Sequence, residues 1–421
     1  MAPAEKRGTA VADHALTICV MGSTPSPPGR LFALALGLTA LITPLAVHLF
    51  FPVIPAVKVT LGLSDAYAYL TFSIALFGMA ISTLFYGSLS DRYGRRPVLL
   101  SGLVLFLVGS AVSAVAPTPA MLVLGRLVQA IGAGCGLALV RAIARDAYSA
   151  DKLVKAIAYL TMFGTMGPMI SPFVGGVLTD MFGWRSVFGF ALLAGGAITL
   201  TAYLVLYETH PVDKRTKVGA SVLQSYAALF SRPRFVAFVL QSGFTTGAFM
   251  VMASAAASLM TELLHRPATE FGLYFILFPI GFFTGNFIST RIGHRNAGET
   301  MVLAGSLLAL LTVTVQAVVL VYGVLNPLAF FIPGFFITIS QGIAMPYAQA
   351  GAMNEIPRFA GTAAGVGVFM QNFGAAVFAQ LYGLLADGTP MPMSMIAVLC
   401  STLGLIAGAM PFLLARRRVT P

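Results

Sequence analysis

One short stretch of the chain concentrates charge in an otherwise uncharged neighbourhood. It carries one acid and three arginines, in the string Gly87-Ser88-Leu89-Ser90-Asp91-Arg92-Tyr93-Gly94-Arg95-Arg96. The flanking residues 66–90 and 97–125 contain no charged side chain. An acid that can form ion pairs, beside glycines that permit a tight turn and close helix approach, indicates a hinge at a water interface. A loop that only anchored the chain by positive charge would explain the arginines, but not Asp91 or the glycine spacing.

A second group of polar residues lies inside apolar segments. Arg126 is the only strongly basic side chain deep within one. Placing such a charge in a bilayer costs about 2.5–3.5 kcal/mol, so it usually faces a cavity or a partner. Gln129 lies three residues on, on the same helical face, and we expect both to be polar cavity groups. Gln241 and Asn372 are candidates of the same kind, although buried amides also serve to bridge helices.

His48 lies in the first apolar segment, between Pro44 and Pro52. Histidine changes its charge near neutral pH, so a proton could be exchanged at this position. A hydrogen-bonded core histidine with no chemical role is the alternative interpretation. The sequence leaves both open.

The fifth apolar segment is rich in residues that bend helices or let them approach. Within 13 positions it contains Gly164, Gly167, Pro168, Pro172, Gly175 and Gly176. Each proline removes a backbone donor and bends the helix, and the glycines permit tight contact between helices in a membrane. The pattern therefore predicts a kinked helix that packs closely against its neighbours.

Membrane-spanning helices must position all of these residues. Hydrophobic residues make up 58% of the 421 residues and charged residues 9%, against about 45–50% and about 25% in soluble domains. Ten uncharged stretches reach the length of about 20 residues that a helix needs to cross the hydrocarbon. Two of them must be divided, near 117–119 and 322–327, which predicts twelve helices. Continuous apolar runs without alternation exclude a β-barrel.

The basic residues predict the orientation in the bilayer. If both termini lie in the cytoplasm, 21 of the 25 lysines and arginines fall on the cytoplasmic side. Only Lys58, Arg185 and Arg266 fall outside, which follows the positive-inside rule. The same bias accounts for the net charge of +11. Binding to nucleic acid is therefore not needed as an explanation, and the expected partner of the surface is the lipid bilayer.

The predicted fold is an all-α integral membrane protein with two pseudo-symmetric six-helix bundles. The charged loop has an echo after the second span of the other half, at Arg291, Gly293 and Arg295, as expected for parallel repeats related by an axis along the membrane normal. The expected division is a disordered cytoplasmic tail at 1–30, a bundle at 31–207, a cytoplasmic linker at 208–234, a bundle at 235–415 and a cytoplasmic tail at 416–421.

These motifs resemble those of one family of transporters. The charged loop, Gly87-x-x-x-Asp91-Arg92-x-Gly94-Arg95-Arg96, is similar to the signature loop of the major facilitator superfamily. Arg126-x-x-Gln129-x-x-Gly132 is similar to its second motif, and Pro168-x-x-x-Pro172-x-x-Gly175-Gly176 to the motif of its antiporters. Two further segments, Leu124–Tyr148 and Ala360-Gly361-Thr362-Ala363, narrow the resemblance to drug:proton antiporters of the bicyclomycin/chloramphenicol-resistance (Bcr/CflA) type.

The resemblance implies a protein of the bacterial inner membrane that exports small amphiphilic compounds by alternating access, in exchange for protons. In this family the acid at the position of Asp91 holds the cytoplasmic ends of the two halves together, partly through a neighbouring helix N-terminus. The motif of the fifth span implies a gating and leak-sealing role. The family normally has an acid where this chain has His48. Since no acid lies deep in any span, we expect neutral, zwitterionic or anionic substrates rather than cations.

Two other functions compete with export. An uptake symporter or uniporter of the same fold stays open because the first span lacks the usual acid, although the prolines of the fifth span argue against it. A membrane-embedded enzyme would need clustered nucleophiles, acids and bases or metal ligands, and the sequence has no such cluster. It also has no Gly-x-x-x-x-Gly-Lys-[Ser/Thr] loop for a nucleotide. We expect no cofactor, no metal and a monomer.

Overall fold

The computed structural model describes residues 28–210, 221–292 and 297–416, and every regular element in these ranges is a helix. Twelve helices are long and apolar enough to cross a membrane, which confirms the predicted number. We call them spans 1–12. In chain order they are Arg30–Phe50, Asp65–Tyr93, Arg95–Ala114, Pro119–Ala147, Lys155–Phe182, Trp184–Val205, Pro233–Leu263, Ala268–Ile292, Gly298–Val321, Pro327–Asn354, Pro357–Leu385 and Met391–Leu414.

Span 1 is broken in its middle, as its prolines dictate. Its pieces are the helices Arg30–Ala40 and Ile42–Val47 and the 3₁₀ turn His48–Phe50, and a further helix, Val53–Leu61, continues beyond it. Pro44, Pro52 and Pro55 each lack the N–H that would bond the carbonyl four residues earlier. The chain therefore changes direction at His48, and backbone carbonyls around the break become available to other partners.

Other helices also differ from the bounds of their spans. The helix of span 5 begins at Ala150, and span 8 consists of two helices, Ala268–Phe275 and Leu277–Ile292. Span 7 ends in a π-helical turn, Leu259–Leu263. The helix of span 11 runs over Ala360–Leu385 after a 3₁₀ turn at Pro357–Phe359, and that of span 12 over Met391–Arg416.

Spans 2 and 3 are joined by a single residue, Gly94. Its φ of 101° lies in the left-handed region, which a side chain would strain. The helix before it ends at Tyr93 and the next begins at Arg95. The tight turn predicted at Gly94 is therefore confirmed.

The spans form two bundles with the same internal arrangement. In the first bundle span 4 packs on spans 2 and 3, and span 3 packs on span 6. In the second bundle span 10 packs on spans 8 and 9, and span 9 packs on span 12. The repeated pattern confirms the predicted pseudo-symmetry. Both bundles use glycines at their closest helix crossings: a Cβ at Gly132 would overlap the backbone of Phe106, and one at Gly285 the carbonyl of Ile339.

The described part of the segment between the bundles contains a helix. Within the predicted linker 208–234 lies a helix, Ser221–Phe230, and span 7 begins there too, at Pro233. Leu229 of the linker helix is buried in a small apolar cluster with Phe235 and Phe238. Residues 1–27 and 417–421 of the expected tails, 211–220 of the linker and 293–296 of the loop echo lie outside the described residues.

Candidate functional site

The two bundles contact each other mainly at one end of the molecule. We call the end that holds Arg30 and the turn at Gly94 the basic face, and the other end the opposite face. Span 5 packs on span 8 and span 2 packs on span 11. Every hydrogen bond between the bundles that involves described side chains lies toward the opposite face.

At the opposite face, Asp180 at the end of span 5 caps the N-terminus of span 8. Its carboxylate accepts hydrogen bonds from the backbone N–H of Ala268 (3.2 Å) and of Thr269 (2.8 Å), and from the Thr269 hydroxyl (2.7 Å). These amides carry the positive end of the helix dipole, so an anion there is favourable. Because cap and helix belong to different bundles, the bond holds the bundles together.

The contact between spans 5 and 8 is also a backbone contact. A Cβ on Gly176 would overlap the carbonyl of Ala268, and a Cβ on Gly272 would overlap the backbone of Phe173. Of the predicted motif in span 5, Gly176 therefore lies in the seal between the bundles. Gly175 faces the carbonyl of Leu49 in span 1, and Gly164 has no atom within 4 Å of a potential Cβ.

Spans 2, 7 and 11 complete the closure of the opposite face. Tyr69 donates to the carbonyl of Ser254 (3.1 Å) and shares a 2.8 Å hydrogen bond with the Ser258 hydroxyl. Gln380 accepts from Ser73 (2.6 Å) and donates to the carbonyl of Ala66 (3.0 Å).

An ion pair at the water interface joins the same two bundles. Lys58 lies 2.7 Å from Glu262 of span 7 and 2.6 Å from Asp65 at the start of span 2. Desolvation lowers the pKa of Lys58, but the hydrogen bonds from its ammonium group to Asp65 and Glu262 outweigh this, and the net shift is upward. Lys58 therefore stays charged at neutral pH and keeps both contacts.

A cavity of about 540 Å³ separates the bundles toward the basic face. Its wall combines spans 1, 4 and 5 of the first bundle with spans 8, 10 and 11 of the second. The polar residues that line it are Arg141, Thr161, Thr165, Asn286, Gln349 and Gln371. Apolar residues such as Phe282 and Met345 cover the rest. The arrangement can accommodate an amphiphilic small molecule.

A smaller cavity of about 170 Å³ lies deeper between the bundles and shares Thr165 and Phe282 with the first. It is lined by His48, Thr165, Pro168, Phe249, Phe275, Phe278, Pro279, Phe282, Thr338 and Gln341. The rings of Phe275 and Phe278 meet edge to face at 4.8 Å, and Gln341 donates to the carbonyl of Thr245 (2.9 Å). This part is an aromatic chamber with few polar groups.

Among the predicted proton and substrate residues, His48 is the one that lines this chamber, and Pro168 of the span-5 motif lines it too. His48 is half-buried, its ring lies 5.7 Å from that of Phe51 and 6.3 Å from that of Phe275, and its Nδ1 has no hydrogen-bond partner among the described residues. The break in span 1 turns its side chain toward the second bundle. The His48 ring therefore lies among aromatic side chains at the wall of the chamber.

Arg126 and Gln129 lie elsewhere, in the interior of the first bundle. The Arg126 guanidinium donates to the carbonyls of Ala46 (2.9 Å) and Thr71 (3.3 Å) and to Gln129 Oε1 (2.6 Å). It also stacks over the ring of Phe50 at 4.1 Å. Neither residue lines the two cavities, so the structure does not place them on the cavity wall expected from the sequence. Arg126 instead ties the broken region of span 1 to spans 2 and 4.

Gln241 and Asn372 are not brought to the cavities either. Gln241 is buried between spans 7 and 9, where it donates to Thr245 (3.1 Å) and Ser306 (3.2 Å). Asn372 bonds the carbonyl of Val368 in its own helix (3.0 Å). The neighbouring amide, Gln371, lines the larger cavity.

The charged loop at the basic face makes its ionic contacts within the first bundle. Asp91 pairs with Arg95 (2.6 Å), and Arg95 also pairs with Asp146 (2.9 Å). The Asp91 side chain is 44% exposed, and no atom lies within 4 Å of a potential Cβ on Gly87. The close helix approach expected at Gly87 is therefore absent, because nothing from the second bundle packs there in this conformation.

The remaining loop arginines also find partners in the first bundle. Arg96 donates to the carbonyl of Tyr203 (2.8 Å), and Arg92 lies over the ring of Tyr93 at 5.1 Å. Glu208 accepts from the backbone N–H groups of Arg95 and Arg96, at 2.9 and 3.2 Å, and so caps span 3. The loop is thus a preformed cluster attached to one bundle.

Comparison with known proteins identifies the architecture. The family model of the Major Facilitator Superfamily matches residues 36–379. The chain belongs to this superfamily of transporters. Multidrug resistance protein D of Escherichia coli is 28% identical over 84% of this chain and 88% of its own. The bicyclomycin resistance protein homolog of Haemophilus influenzae is 22% identical over 90% and 95%. These relatives confirm the resemblance to the Bcr/CflA type.

A solved superfamily structure has the same fold. The bacterial homolog of the human lysosomal transporter Spinster, solved in an inward-facing, unoccupied conformation, superposes with a TM-score of 0.72. It is 18% identical to this chain, and the match covers 91% of this chain and 96% of that one. In the described part of the present chain, no group of three or more His, Cys, Asp or Glu residues could hold a metal ion.

Sequence reasoning missed Asp180, the aromatic chamber and the place of Arg141 on the cavity wall. Asp180 follows the Gly175-Gly176 pair by one helical turn, which is the signal that could have found it. Arg141 was counted only in the positive charge of one face and in the segment Leu124–Tyr148 that resembles the family. Gln371 belonged to a wider set of possible cavity amides, in which Gln241 and Asn372 were preferred to it.

We predict that Arg126 acts through its fork of donors rather than through charge alone. Arg126→Lys keeps the charge but cannot reach the carbonyls of Ala46 and Thr71 together, and Arg126→Met leaves Gln129 Oε1 without its donor. Each unpaired buried group costs about 1–3 kcal/mol, so both variants should melt at a lower temperature in detergent.

Arg145→Met, an exposed arginine on the same helix, is the matched control and should melt like the wild type. If Arg126→Lys melts at the wild-type temperature, the several hydrogen bonds of the guanidinium are not what stabilises the bundle. If both Arg126 variants melt like the wild type but no longer bind ligand, Arg126 acts as a cavity residue, as the sequence predicted.

Proposed function

We propose that the protein is a secondary active transporter that exports small amphiphilic compounds by alternating access, in exchange for protons. The observation that carries this proposal is the cavity between the bundles, which is lined by both bundles and closed by their contacts at the opposite face. Rocking of two rigid bundles about such a cavity exposes it to each side of the membrane in turn.

The proposed orientation places the basic face, with both termini, in the cytoplasm of a bacterial inner membrane. Positive residues are enriched on cytoplasmic loops, and the described ends at the basic face carry Arg30, Arg92, Arg95, Arg96, Arg145, Lys152, Lys155, Arg232, Arg234 and Arg358. In this orientation the described conformation is inward-facing, and a substrate would enter the cavity from the cytoplasm.

The charged loop would act in the other conformation. Closing the basic face would bring Asp91 toward the start of span 11, where Gly361 now has no atom within 4 Å of a potential Cβ. An acid at a helix N-terminus stabilises the contact by about 0.3–2 kcal/mol. We propose that Asp91 and Asp180 are two caps of the same kind, one for each face, of which only Asp180 is engaged here.

Proton coupling is assigned to His48. It is the titratable side chain on the wall of the aromatic chamber, and histidine can gain and lose a proton in the physiological range. A proton on His48 would compete with a substrate in the same chamber, which is the simplest basis for antiport. The substrates are proposed to be neutral, zwitterionic or anionic amphiphiles, since no acid lines either cavity.

Export is favoured over uptake by the relatives and by span 5. Two relatives are named for multidrug and bicyclomycin resistance, and Gly175 and Gly176 seal span 5 against spans 1 and 8. Uptake by symport or uniport is the second candidate, because span 1 carries His48 in place of the acid usual in the family.

The first test measures proton movement in everted membrane vesicles with an acidified interior. Chloramphenicol and other exported compounds should release protons from vesicles that contain the protein. His48→Ala should reduce this release to the level of vesicles without the protein, whereas His48→Asp should retain it because a carboxyl can also carry a proton. Gly196→Ala, at a helical position with no neighbour within 4 Å, is the control.

Proton release that does not depend on any added compound would contradict antiport and favour the second candidate. If both His48 variants match the wild type for every exported compound, His48 does not carry the proton.

The second test concerns the cap at the basic face. Asp91→Asn keeps the size of the side chain but removes the charge that pairs with Arg95 and favours a helix N-terminus. Export should fall roughly tenfold or more, while insertion into the membrane and the melting temperature stay near the wild type. Asp387→Asn removes an acid whose described hydrogen bonds go only to Thr389 in its own loop, and should export normally. Full activity of Asp91→Asn would remove Asp91 from the mechanism.

A further inference from the structure

The wall of the two cavities carries one permanently charged side chain among the residues that line them. It is Arg141 of span 4, which lies on the larger cavity together with Thr161, Asn286 and Gln371. No aspartate, glutamate or lysine lines either cavity. A molecule that enters from the basic face therefore meets one positive charge and no negative one.

Arg141 has no acidic partner among the described residues, in contrast to Arg95 and Arg234 of the same face. Arg95 is paired with Asp91 and Asp146, and Arg234 with Glu299 and Glu355. Arg141 makes no ion pair or hydrogen bond with a described residue, and its side chain is exposed to the cavity. Its charge is therefore available to a ligand on the cavity wall.

The surroundings of Arg141 suit a ligand with a polar end and an apolar body. Gln371 lies on the same cavity, and its Nε2 has no acceptor among the described residues. The apolar part of the same wall is formed by Leu160, Phe282, Phe283 and Met345. Two donors on the wall of a largely apolar cavity match an acceptor group on an amphiphile.

We propose that Arg141 is a specificity-determining residue that binds the anionic group of the substrate. The substrate class is then an amphiphile with a carboxylate, sulfonate or phosphate and an aromatic or aliphatic body. The inference rests on the proposed transport function and narrows its substrates to one charge type. Guanidinium binds such groups through two parallel hydrogen bonds, which an ammonium or an amide cannot reproduce. The wall without acids gives a cation no comparable partner.

The test uses three ligands with the same ring system and different charge: 9-anthracenecarboxylate, the neutral 9-anthracenecarboxamide and the cationic 9-(aminomethyl)anthracene. Their fluorescence is titrated with purified protein in lipid nanodiscs. The wild type should bind the carboxylate about tenfold more tightly than the amide, and the cation least tightly. Equal binding of the carboxylate and the amide by the wild type, including failure to bind either, would overturn the proposal.

The variants assign the preference to one side chain. Arg141→Gln should bind the carboxylate and the amide equally, with affinity for the amide unchanged, and Arg141→Lys should recover part of the preference. Arg145→Gln removes the next arginine of the same helix, which does not line either cavity, and should keep the full preference. Loss of the preference in Arg145→Gln, or its persistence in Arg141→Gln, would show that general positive charge attracts the carboxylate.

These experiments distinguish a failure of the proposed charge preference from a failure of the proposed transport function. If Arg141→Gln still exports a neutral compound from cells but loses the carboxylate preference, the proposed function and the inference both stand. If the wild type prefers the carboxylate but moves no compound in vesicles, the proposed function fails. If the wild type transports compounds without any charge preference, the inference alone fails.

Discussion

One carboxylate of this transporter caps a helix of the other bundle and so helps to hold the described conformation. Asp180 engages the first amides of span 8 and thereby fixes the ends of spans 5 and 8 where glycines already bring the backbones together. The bond lies at the water interface, where a helix-end charge contributes on the order of 1 kcal/mol. A contact of this size can bias two states of the protein without locking either, which alternating access requires.

Each bundle must be rigid inside if the small free energy of the Asp180 cap is to move one bundle as a unit relative to the other. Arg126 supplies rigidity where the first bundle is weakest, at the proline-broken centre of span 1. Its guanidinium donates to the carbonyls of Ala46 in span 1 and Thr71 in span 2 and so fastens the broken segment to the rest of the bundle. The break itself is useful, because it turns His48 into the chamber between the bundles. The Ala46 carbonyl and the His48 side chain are thus close in sequence, but the first accepts a hydrogen bond inside the bundle and the second lines the chamber.

The sequence was sufficient to predict the spans, the turn at Gly94 and the symmetry of the bundles. These features depend on local properties: apolar length, proline and glycine placement, and positive charge at one face. Partners of buried polar groups could not be predicted in the same way. Arg126 bonds mainly backbone carbonyls, which have no sequence signature, and Asp180 caps a helix that begins 88 residues away.

The sequence did not show which side of each helix faces the cavity, and this limited the prediction of its lining residues. Neighbouring residues of a helix point about 100° apart, so Gln371 reaches the cavity while Asn372 bonds its own helix. Arg141 and Arg145 have the same residue type on one helix, and only tertiary structure shows that Arg141 alone lines the cavity. An arginine near a helix end, such as Arg145, adds to the positive charge of one face, whereas an arginine one turn earlier, such as Arg141, lies on the cavity wall.

The central claim is that the bundles close one face at a time and that Asp180 holds the closure seen here. The most direct measurement is the distance between spin labels, by pulsed electron resonance, at Val59 and Arg266 on the opposite face and at Tyr93 and Arg358 on the basic face. All four side chains are exposed. Replacing Asp180 by Ala should lengthen the first distance and shorten the second. Unchanged distances, or changes of both in the same direction, would contradict the account.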